Sequence, residues 1–448
     1  MQRIFDKRLL AHIIIEAETP IIIGAGQKNE FTDAEILKDV NGLPYIPGAT
    51  IAGILRHSVN PDLASRLFGE DDRNDWPHGS EIIFSEAKLI DGNGRVVDGL
   101  QEALYNDDFL RHYARLPIRN HVRISGKGVA EGTGKFDEEV IFKGTRFAFE
   151  IEMIAESSQD RSEAEDILGQ IVDELSKTSF RIGGGSRKGF GKIRVISASR
   201  KTFDLNIKSN LDEYLKIPSE LAQSKEGWAP FEFHNGTDEI AVSFHLTLTP
   251  QDFFYFGSGV GDDDADDTPI KESIVDWTGG KGTFKDVILI PAASLKGALA
   301  HRVAFHYNLS HGNFAGGVEG PENYSGSKNP AVQYLFGDSQ NRGKVIFNDI
   351  LSDVCSEEKI LNHVKIDRFT GGAMDGALFS EKVIYNPDAR FETEIHLLGN
   401  AQDDKYEESL EALESSLDDL ANGTLPLGGG NGRGNGIFKC EIRKRESK

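Results

Sequence analysis

Two copies of one sequence pattern make up this chain, and this internal repeat restricts the possible folds more than any other feature. Four landmarks recur in the same order in both halves. Paired as first and second copy, they are 43–57 with 288–302, 65–87 with 333–349, 120–152 with 362–396, and 181–195 with 426–440. One such match would carry little weight, but four in order predict two copies of one folded unit.

The spacing of the copies predicts where the domains lie. Three of the landmark pairs are 242 to 245 residues apart, while the Leu-Phe-Gly landmark is displaced by 268. The second copy should therefore carry an inserted loop, and residues 308–330, rich in Gly, Asn and Ser, are the candidate. A chain of 448 residues is long enough for two or three domains. We expect a first domain at 1–203, a linker with one short helix at 204–238, and a second domain at 239–448.

The order of elements within each copy predicts the fold class. Each copy opens with an alternating run typical of a half-buried strand, at 11–18 and 240–249, and ends with an acidic amphipathic helix, at 162–178 and 405–421, followed by a last strand. The complete order is β-α-β-β-α-β. This order predicts an α+β chain of two tandem ferredoxin-like domains of the RRM-like, split βαβ type, each with a long hairpin insertion that we call a thumb.

Composition excludes several classes of protein. No apolar run approaches the roughly 18 residues that cross a bilayer, so we expect no membrane association and a cytoplasmic location. The two cysteines, Cys355 and Cys440, fit neither a disulfide framework nor a zinc site.

The net charge of −22 argues against a nucleic-acid-binding protein. The acidic residues, however, concentrate in 157–166, 261–267 and 403–419, whereas 115–128 and 181–194 are basic. A surface with separated charges is therefore expected.

The glycine-rich segments follow a helix and precede a strand. This position argues against a Rossmann motif or a P-loop, in which a helix start binds the phosphate. We expect these turns to let an RNA backbone approach closely, with basic side chains beside them. The alternative is a purely conformational turn. The residues concerned are Gly183, Gly184, Gly185, Arg187 and Lys188 in the first turn, and Gly428, Gly429, Gly430 and Arg433 in the second.

Further basic residues are predicted to face RNA. At the helix openings these are Arg56 and Lys296, accompanied by His57 and Arg302, although the small residues there would equally pack the helix onto its own sheet. Long hairpins inside compact domains usually serve a function. The two thumbs offer charge and apolar wedges through Arg123, Lys127, Lys365, Met374 and Phe379.

Acidic loops after each first strand are the candidates for chemistry. The first contains Asp33 and Asp39, and the second contains Asp276 and an acidic cluster. A lone surface aspartate is usually only solvated, so the residues alone assign it no role.

The trio of an IPGAT-type helix start, Leu-Phe-Gly before a strand and a terminal GGxxxxGxG, present twice, resembles the RAMP superfamily of CRISPR systems. Within it, the chain looks most like subunits that coat the guide RNA in type III effectors, including fused double forms. The resemblance implies guide RNA, target RNA and other effector subunits as partners. It also implies thumbs that kink the guide and turns that hold its backbone.

The same resemblance implies cleavage of target RNA by a loop aspartate assisted by a divalent cation, Mg²⁺ or Mn²⁺, with the target's 2′-hydroxyl as nucleophile. Asp33 matches the family position, 14 residues before Pro47. Counting 14 residues back from Pro291 reaches Trp277, so the adjacent Asp276 is the expected second site. Whether both halves cut stays open.

Two other readings remain open from the sequence. The chain would be a non-catalytic scaffold for guide RNA if other subunits perform the cleavage. Alternatively, it would be a metal-independent endonuclease that processes the guide precursor, with His57 or His121 as acid and base.

Overall fold

The structure is a computed structural model that describes residues 5–28, 32–69, 79–101, 106–125, 130–156, 160–222, 227–233, 239–314, 324–353, 357–399 and 403–446. The elements of the first half are β1 Phe5–Ala17, α1 Gly48–Ser58, α2 Pro61–Phe68, β2 Ile82–Phe84, β3 Lys88–Leu89, α3 Asp108–Arg111, β4 Ile118–Ile124, β5 Ala130–Glu139, β6 Arg146–Glu156, α4 Arg161–Glu174 and β7 Ile193–Asp204. The elements after it are α5 Lys208–Tyr214, β8 Ala229–Pro230, β9 Ile240–Pro250, β10 Lys271–Asp276, β11 Thr283–Ile290, α6 Ala292–Ser310, α7 Pro330–Phe336, β12 Val345–Ile346, β13 Ile350–Ser352, β14 Glu357–Ile366, β15 Ala373–Tyr385, β16 Phe391–Leu398, α8 Tyr406–Ala421 and β17 Phe438–Glu446.

Both halves contain the same antiparallel sheet. The strand order is β2-β6-β1-β7 in the first half and β12-β16-β9-β17 in the second. The first strand of each copy is therefore central, and the third strand of the split βαβ lies beside it. In the registers, Ile13 of β1 lies opposite Phe149 of β6, and Leu246 of β9 lies opposite Thr393 of β16. The predicted pair of ferredoxin-like domains is confirmed.

Each sheet buries one face under two helical layers. Along β9 the burial alternates strictly, and Val242, Phe244 and Leu246 point into the core. The helices cover them with leucines at helical spacing, such as Leu413 and Leu417 of α8. The first half repeats this arrangement with α1 and α4, so each half has its own hydrophobic core.

The first helix of each copy is followed by a short second helix that ends in the Leu-Phe-Gly landmark. Asn60 and Asn329 cap the starts of α2 and α7 with their side chains. Gly69 and Gly337 end these helices with φ of 80° and 81°. The helix α6 has 19 residues where α1 has 11, so the insertion predicted at 308–330 begins in the last turn of α6. In the described residues, no helix has the length and apolar character needed to cross a membrane.

The predicted thumbs are two-stranded antiparallel hairpins, β4–β5 in the first half and β14–β15 in the second. Both leave large apolar side chains in solvent, among them Val122 in the first thumb and Leu378 and Phe369 in the second. Exposed apolar groups of this kind, clustered on a projecting hairpin, mark a contact surface.

The segment between the halves is partly built into the first sheet. The short helix α5 follows β7, and β8 then pairs with β7 at the sheet edge, with Ala229 opposite Arg200. The Arg200 guanidinium lies 5.1 Å from the Phe231 ring centre. The end of the predicted linker thus extends the first domain's sheet.

The hairpin β10–β11 of the second half packs on the first half. The Val275 N–H donates to the Lys143 carbonyl at 2.8 Å, and the Trp277 indole N–H donates to the Gly144 carbonyl at 2.8 Å. The Arg146 guanidinium stacks on the Trp277 ring, 3.9 Å from its centre. The two halves therefore share a packed interface.

A buried ion triad lies within that interface. Arg119 of β4 contacts Glu272 of β10, and its Nη2 lies 2.9 Å from Asp349 Oδ2. Burial by itself would lower the pKa of Arg119, but Asp349 and Glu272 together raise it above its ordinary value. Asp349 also accepts the Ala292 N–H at 2.8 Å, which ties the triad to the start of α6.

Candidate nucleic-acid interface

The first glycine of each glycine-rich turn is required by the protein's own backbone. Gly183 has φ +82°, and a Cβ there would lie 2.1 Å from the Ile22 carbonyl oxygen. Gly428 has φ +88°, and a Cβ there would lie 2.3 Å from the Tyr255 carbonyl oxygen. At these two positions the conformational alternative holds. Gly184 of the first turn is exposed, so this turn presents its other side to solvent.

Four side chains join each glycine-rich turn to the base of its thumb, and we call each set a thumb–turn quartet. The members are His121, Phe136, Glu138 and Lys188 in the first quartet, and His363, Phe379, Glu381 and Arg433 in the second. In both quartets the histidine and phenylalanine rings stack with centres 4.8 Å apart. The two sets occupy equivalent places, so the repeat extends to individual side-chain contacts.

The carboxylate of each quartet carries the ionic contacts. Glu138 Oε1 lies 2.8 Å from His121 Nε2 and 3.6 Å from Lys188 Nζ. Burial alone would raise the pKa of Glu138, but His121 and Lys188 bring it below its ordinary value. The carboxylates therefore stay ionised at neutral pH in the first quartet.

Glu381 is buried in the second quartet and meets more partners. It contacts Arg433, and its oxygens accept from the Tyr255 hydroxyl at 3.0 Å and the Asn435 side-chain amide at 3.3 Å. Burial and Glu381 raise the pKa of Tyr255 to about 12. Lys188 and Arg433, predicted to pair with phosphates, thus pair with thumb carboxylates here. Their side chains remain 37% and 40% exposed, so a phosphate would have access to them.

Cations from both halves meet beside the first glycine-rich turn, and we call Arg187, Lys188, Lys296 and Arg342 the inter-repeat cation cluster. Arg187 Nε donates to the Gly343 carbonyl at 2.8 Å, and Arg342 Nη2 donates to the Ser186 hydroxyl at 2.9 Å. Lys296 Nζ donates to the Phe336 carbonyl at 3.2 Å. Arg342 was not predicted from the sequence, since only folding brings it to this turn.

The cluster holds positive charge that the surrounding protein does not neutralise. Burial, Arg342 and Arg181 lower the pKa of Arg187 to about 10, and burial, Lys188 and Arg187 lower that of Lys296 to about 8. Nη1 of Arg187 is buried and has no hydrogen-bond partner within the described ranges. A buried, unpaired donor among like charges is costly unless an anion joins it.

The cluster opens into a cleft of 1520 Å³ between the halves. Gly183, Gly184 and Gly185 line one wall with Arg187, while Arg342 and Lys344 line the opposite wall. His57 also reaches this cleft. The predicted glycines and basic residues of the first turn therefore do come together on one concave surface.

Other predicted basic residues lie elsewhere. Arg56 is exposed at the end of α1, and Arg302 contacts Asp419 of α8. Arg123 and Lys365 are exposed at matching irregular positions of β4 and β14. Lys127 lies outside the described residues. His121, considered above as an acid or base, is a member of the first thumb–turn quartet.

Asp33 lies at the base of the first thumb, exposed to solvent. Its N–H donates to Asp137 Oδ1 at 2.8 Å, and its own Oδ2 accepts the Asp137 N–H at 3.3 Å. In the second half, the Asp266 N–H donates to the Ser380 hydroxyl at 3.1 Å, and Asp266 Oδ2 accepts the Ser380 N–H at 2.7 Å. Asp266 is therefore the positional counterpart of Asp33.

Asp276, chosen by counting residues, is not at the equivalent place. It ends β10, where it lies 2.9 Å from Lys285 Nζ and accepts the Thr278 N–H at 3.0 Å, and these contacts lower its pKa to about 2. The count missed because the β10–β11 hairpin separates the loop from α6, so Asp266 lies 25 residues before Pro291. A signal was present, since Phe379-Ser380-Glu381 matches the triplet at 136–138.

Comparison with known proteins agrees with this geometry. Within the described part of the chain, no three His, Cys, Asp or Glu side chains are grouped to hold a metal ion. A comparison with curated proteins found no match. The sequence profile of the RAMP superfamily matches residues 14–194 and 276–439, which is most of both halves. The chain therefore belongs to the RAMP superfamily of CRISPR-associated RNA-binding proteins, and contains two units of that family.

Proposed function

We propose that this chain is a guide-RNA-binding backbone subunit of a type III CRISPR ribonucleoprotein that also cleaves complementary target RNA. The observation that carries the RNA-binding role is the inter-repeat cation cluster. Its charges repel one another, and Arg187 presents a buried donor without a partner. A phosphate diester supplies the negative charge and the acceptor oxygens that this cluster needs.

The surface charge distribution supports a defined RNA path despite the net charge of −22. Exposed acidic residues line the outer face of α8, including Glu407, Glu408 and Glu411. The cleft between the halves is lined by arginines and lysines instead. RNA would therefore be attracted to the cleft and repelled from the helical layer.

The thumbs would contact the bases of the same strand. The rings of Phe136 and Phe379 lie at the thumb bases, 37% and 41% exposed, each stacked on a histidine and next to a cation. Aromatic rings beside cations are suited to stacking on bases. Two equivalent thumbs would contact one RNA at two successive places.

Cleavage is proposed at Asp33, whose carboxylate is exposed beside Asp137. Two carboxylates fit a hydrated Mg²⁺ or Mn²⁺, because such ions usually bind through one or two carboxylates together with substrate phosphates. When bound, the ion would make a nearby hydroxyl more acidic. The thumb base holds Asp33 in place through both hydrogen bonds with Asp137. Asp266 is the matching candidate in the second half, with Ser380 in place of Asp137.

A salt titration of RNA binding by the full chain tests the proposal. We expect Arg187→Ala and Arg342→Ala each to weaken binding of a labelled single-stranded oligoribonucleotide and to reduce the salt slope by about 1, because each removes one phosphate contact. The control is Arg161→Ala, which removes a cation from the exposed start of α4. Equal effects of all three variants, or no RNA binding by the wild-type chain, would contradict the proposed role.

A further inference from the structure

Lys296 is the member of the inter-repeat cation cluster whose surroundings are the least favourable to a charge. It lies on α6 of the second half but faces the glycine-rich turn of the first, where Arg187 and Lys188 act on it. Its side chain is largely buried, and its hydrogen bond is to the neutral Phe336 carbonyl. The nearest carboxylate of the cluster, Glu138, is already engaged by Lys188 and His121.

The first half has no lysine at the equivalent place. Aligning Pro47 with Pro291 puts Ala52 where the second half has Lys296. The repeat therefore cannot account for Lys296 as a residue that the fold requires. Its position against the other half's turn indicates a role at the junction itself.

We propose that binding of an RNA phosphate at the inter-repeat cation cluster is coupled to uptake of a proton by Lys296. The proposal rests on the proposed RNA-binding function and adds a pH dependence to it. Without RNA, Arg187 and Lys188 disfavour the ammonium form of Lys296. A phosphate placed among these groups reverses the local field and favours that form.

The direction of the effect follows from linkage. In the free protein the pKa of Lys296 is lowered to about 8, and a bound phosphate would raise it. Affinity is therefore full below that pH and falls as the pH rises through it, because protonation must then accompany binding. The other charged groups around Lys296, namely Arg187, Lys188 and Arg342, are cations that gain no proton over this range.

The test measures binding of the full chain to labelled oligoadenylate, whose bases do not titrate in this range, at constant salt. Between about pH 7 and about pH 9 we expect the affinity to fall about tenfold. Calorimetry at about pH 8 in two buffers of different ionisation enthalpy should show about half a proton taken up per site.

Two substitutions isolate Lys296. Lys296→Arg keeps the charge but cannot lose its proton, so it should bind with nearly constant affinity across the range. Lys296→Met should bind more weakly at about pH 7 and also show no pH dependence. Lys216→Arg, in the exposed segment between the halves, should retain the tenfold change.

The failures are distinguishable. Absence of RNA binding at every pH would overturn the proposed function together with this coupling. Tight binding without proton uptake, or a pH dependence that survives in Lys296→Arg, would overturn the coupling alone.

Discussion

Asp266 stands in the second half where Asp33 stands in the first, because each exchanges two hydrogen bonds with the thumb residue that precedes the quartet glutamate. This equivalence is defined by contacts and is independent of residue counting. It identifies which two loops should be compared functionally.

The first prediction concerns target cleavage by the assembled complex. We expect Asp33→Ala to lower cleavage at its own set of positions about 100-fold or more, and Asp266→Ala to do so at a second set if that half also cuts. Asp276→Ala should leave every product, because Asp276 pairs with Lys285 away from the thumb base. Gel analysis of the target fragments measures all three.

The double variant Asp33→Ala/Asp266→Ala separates the enzyme from the scaffold. Loss of all regularly spaced products would support cleavage by this chain. Unchanged products from the double variant would leave only the role of a guide-RNA scaffold.

A second prediction concerns the interface between the halves. Replacing Arg119 with Ala leaves Glu272 and Asp349 buried without their cation, which should cost about 3–5 kcal/mol of unfolding free energy. Arg111→Ala removes an exposed arginine that pairs with Asp108 and should cost less than about 1 kcal/mol. Urea unfolding compares the two. Similar losses would mean that the triad does not hold the halves together.

The third prediction concerns the first glycines of the two turns. Gly183→Ala and Gly428→Ala should each destabilise the chain by more than about 1 kcal/mol, because both combine a positive φ with a close carbonyl. Gly297→Ala is the matched control, since this glycine lies inside α6 with nothing near its Cβ position. It should stabilise the chain by up to about 1 kcal/mol. Thermal unfolding of the three variants gives the comparison.

The fourth prediction is a pH dependence of stability through Glu138. Because its folded pKa is lowered, its contribution is fully present above its ordinary value of about 4.3 and is lost as the pH falls through the folded value. Glu138→Gln should therefore be less stable than the wild type at neutral pH, and the difference should shrink below about pH 4. Urea unfolding at a series of pH values measures it. A difference that stays constant with pH would argue against an ionised Glu138 in the first quartet.

The sequence by itself determined the repeat, the element order and the two glycine-rich turns. These features are local, since alternation along β9, helical spacing along α8 and the Leu-Phe-Gly helix end depend on near neighbours. The ferredoxin-like fold followed from that order, and the repeat placed the thumbs.

Contacts between distant segments were decided only by the tertiary structure. Arg342 and Lys296 join Arg187 across more than 100 residues, and Asp266 meets Ser380 across a similar separation. The β10–β11 hairpin shifted the spacing on which counting depended, so Asp276 was selected instead. A sequence pattern records neighbours along the chain, whereas charge clusters and reciprocal hydrogen bonds depend on which surfaces packing brings together.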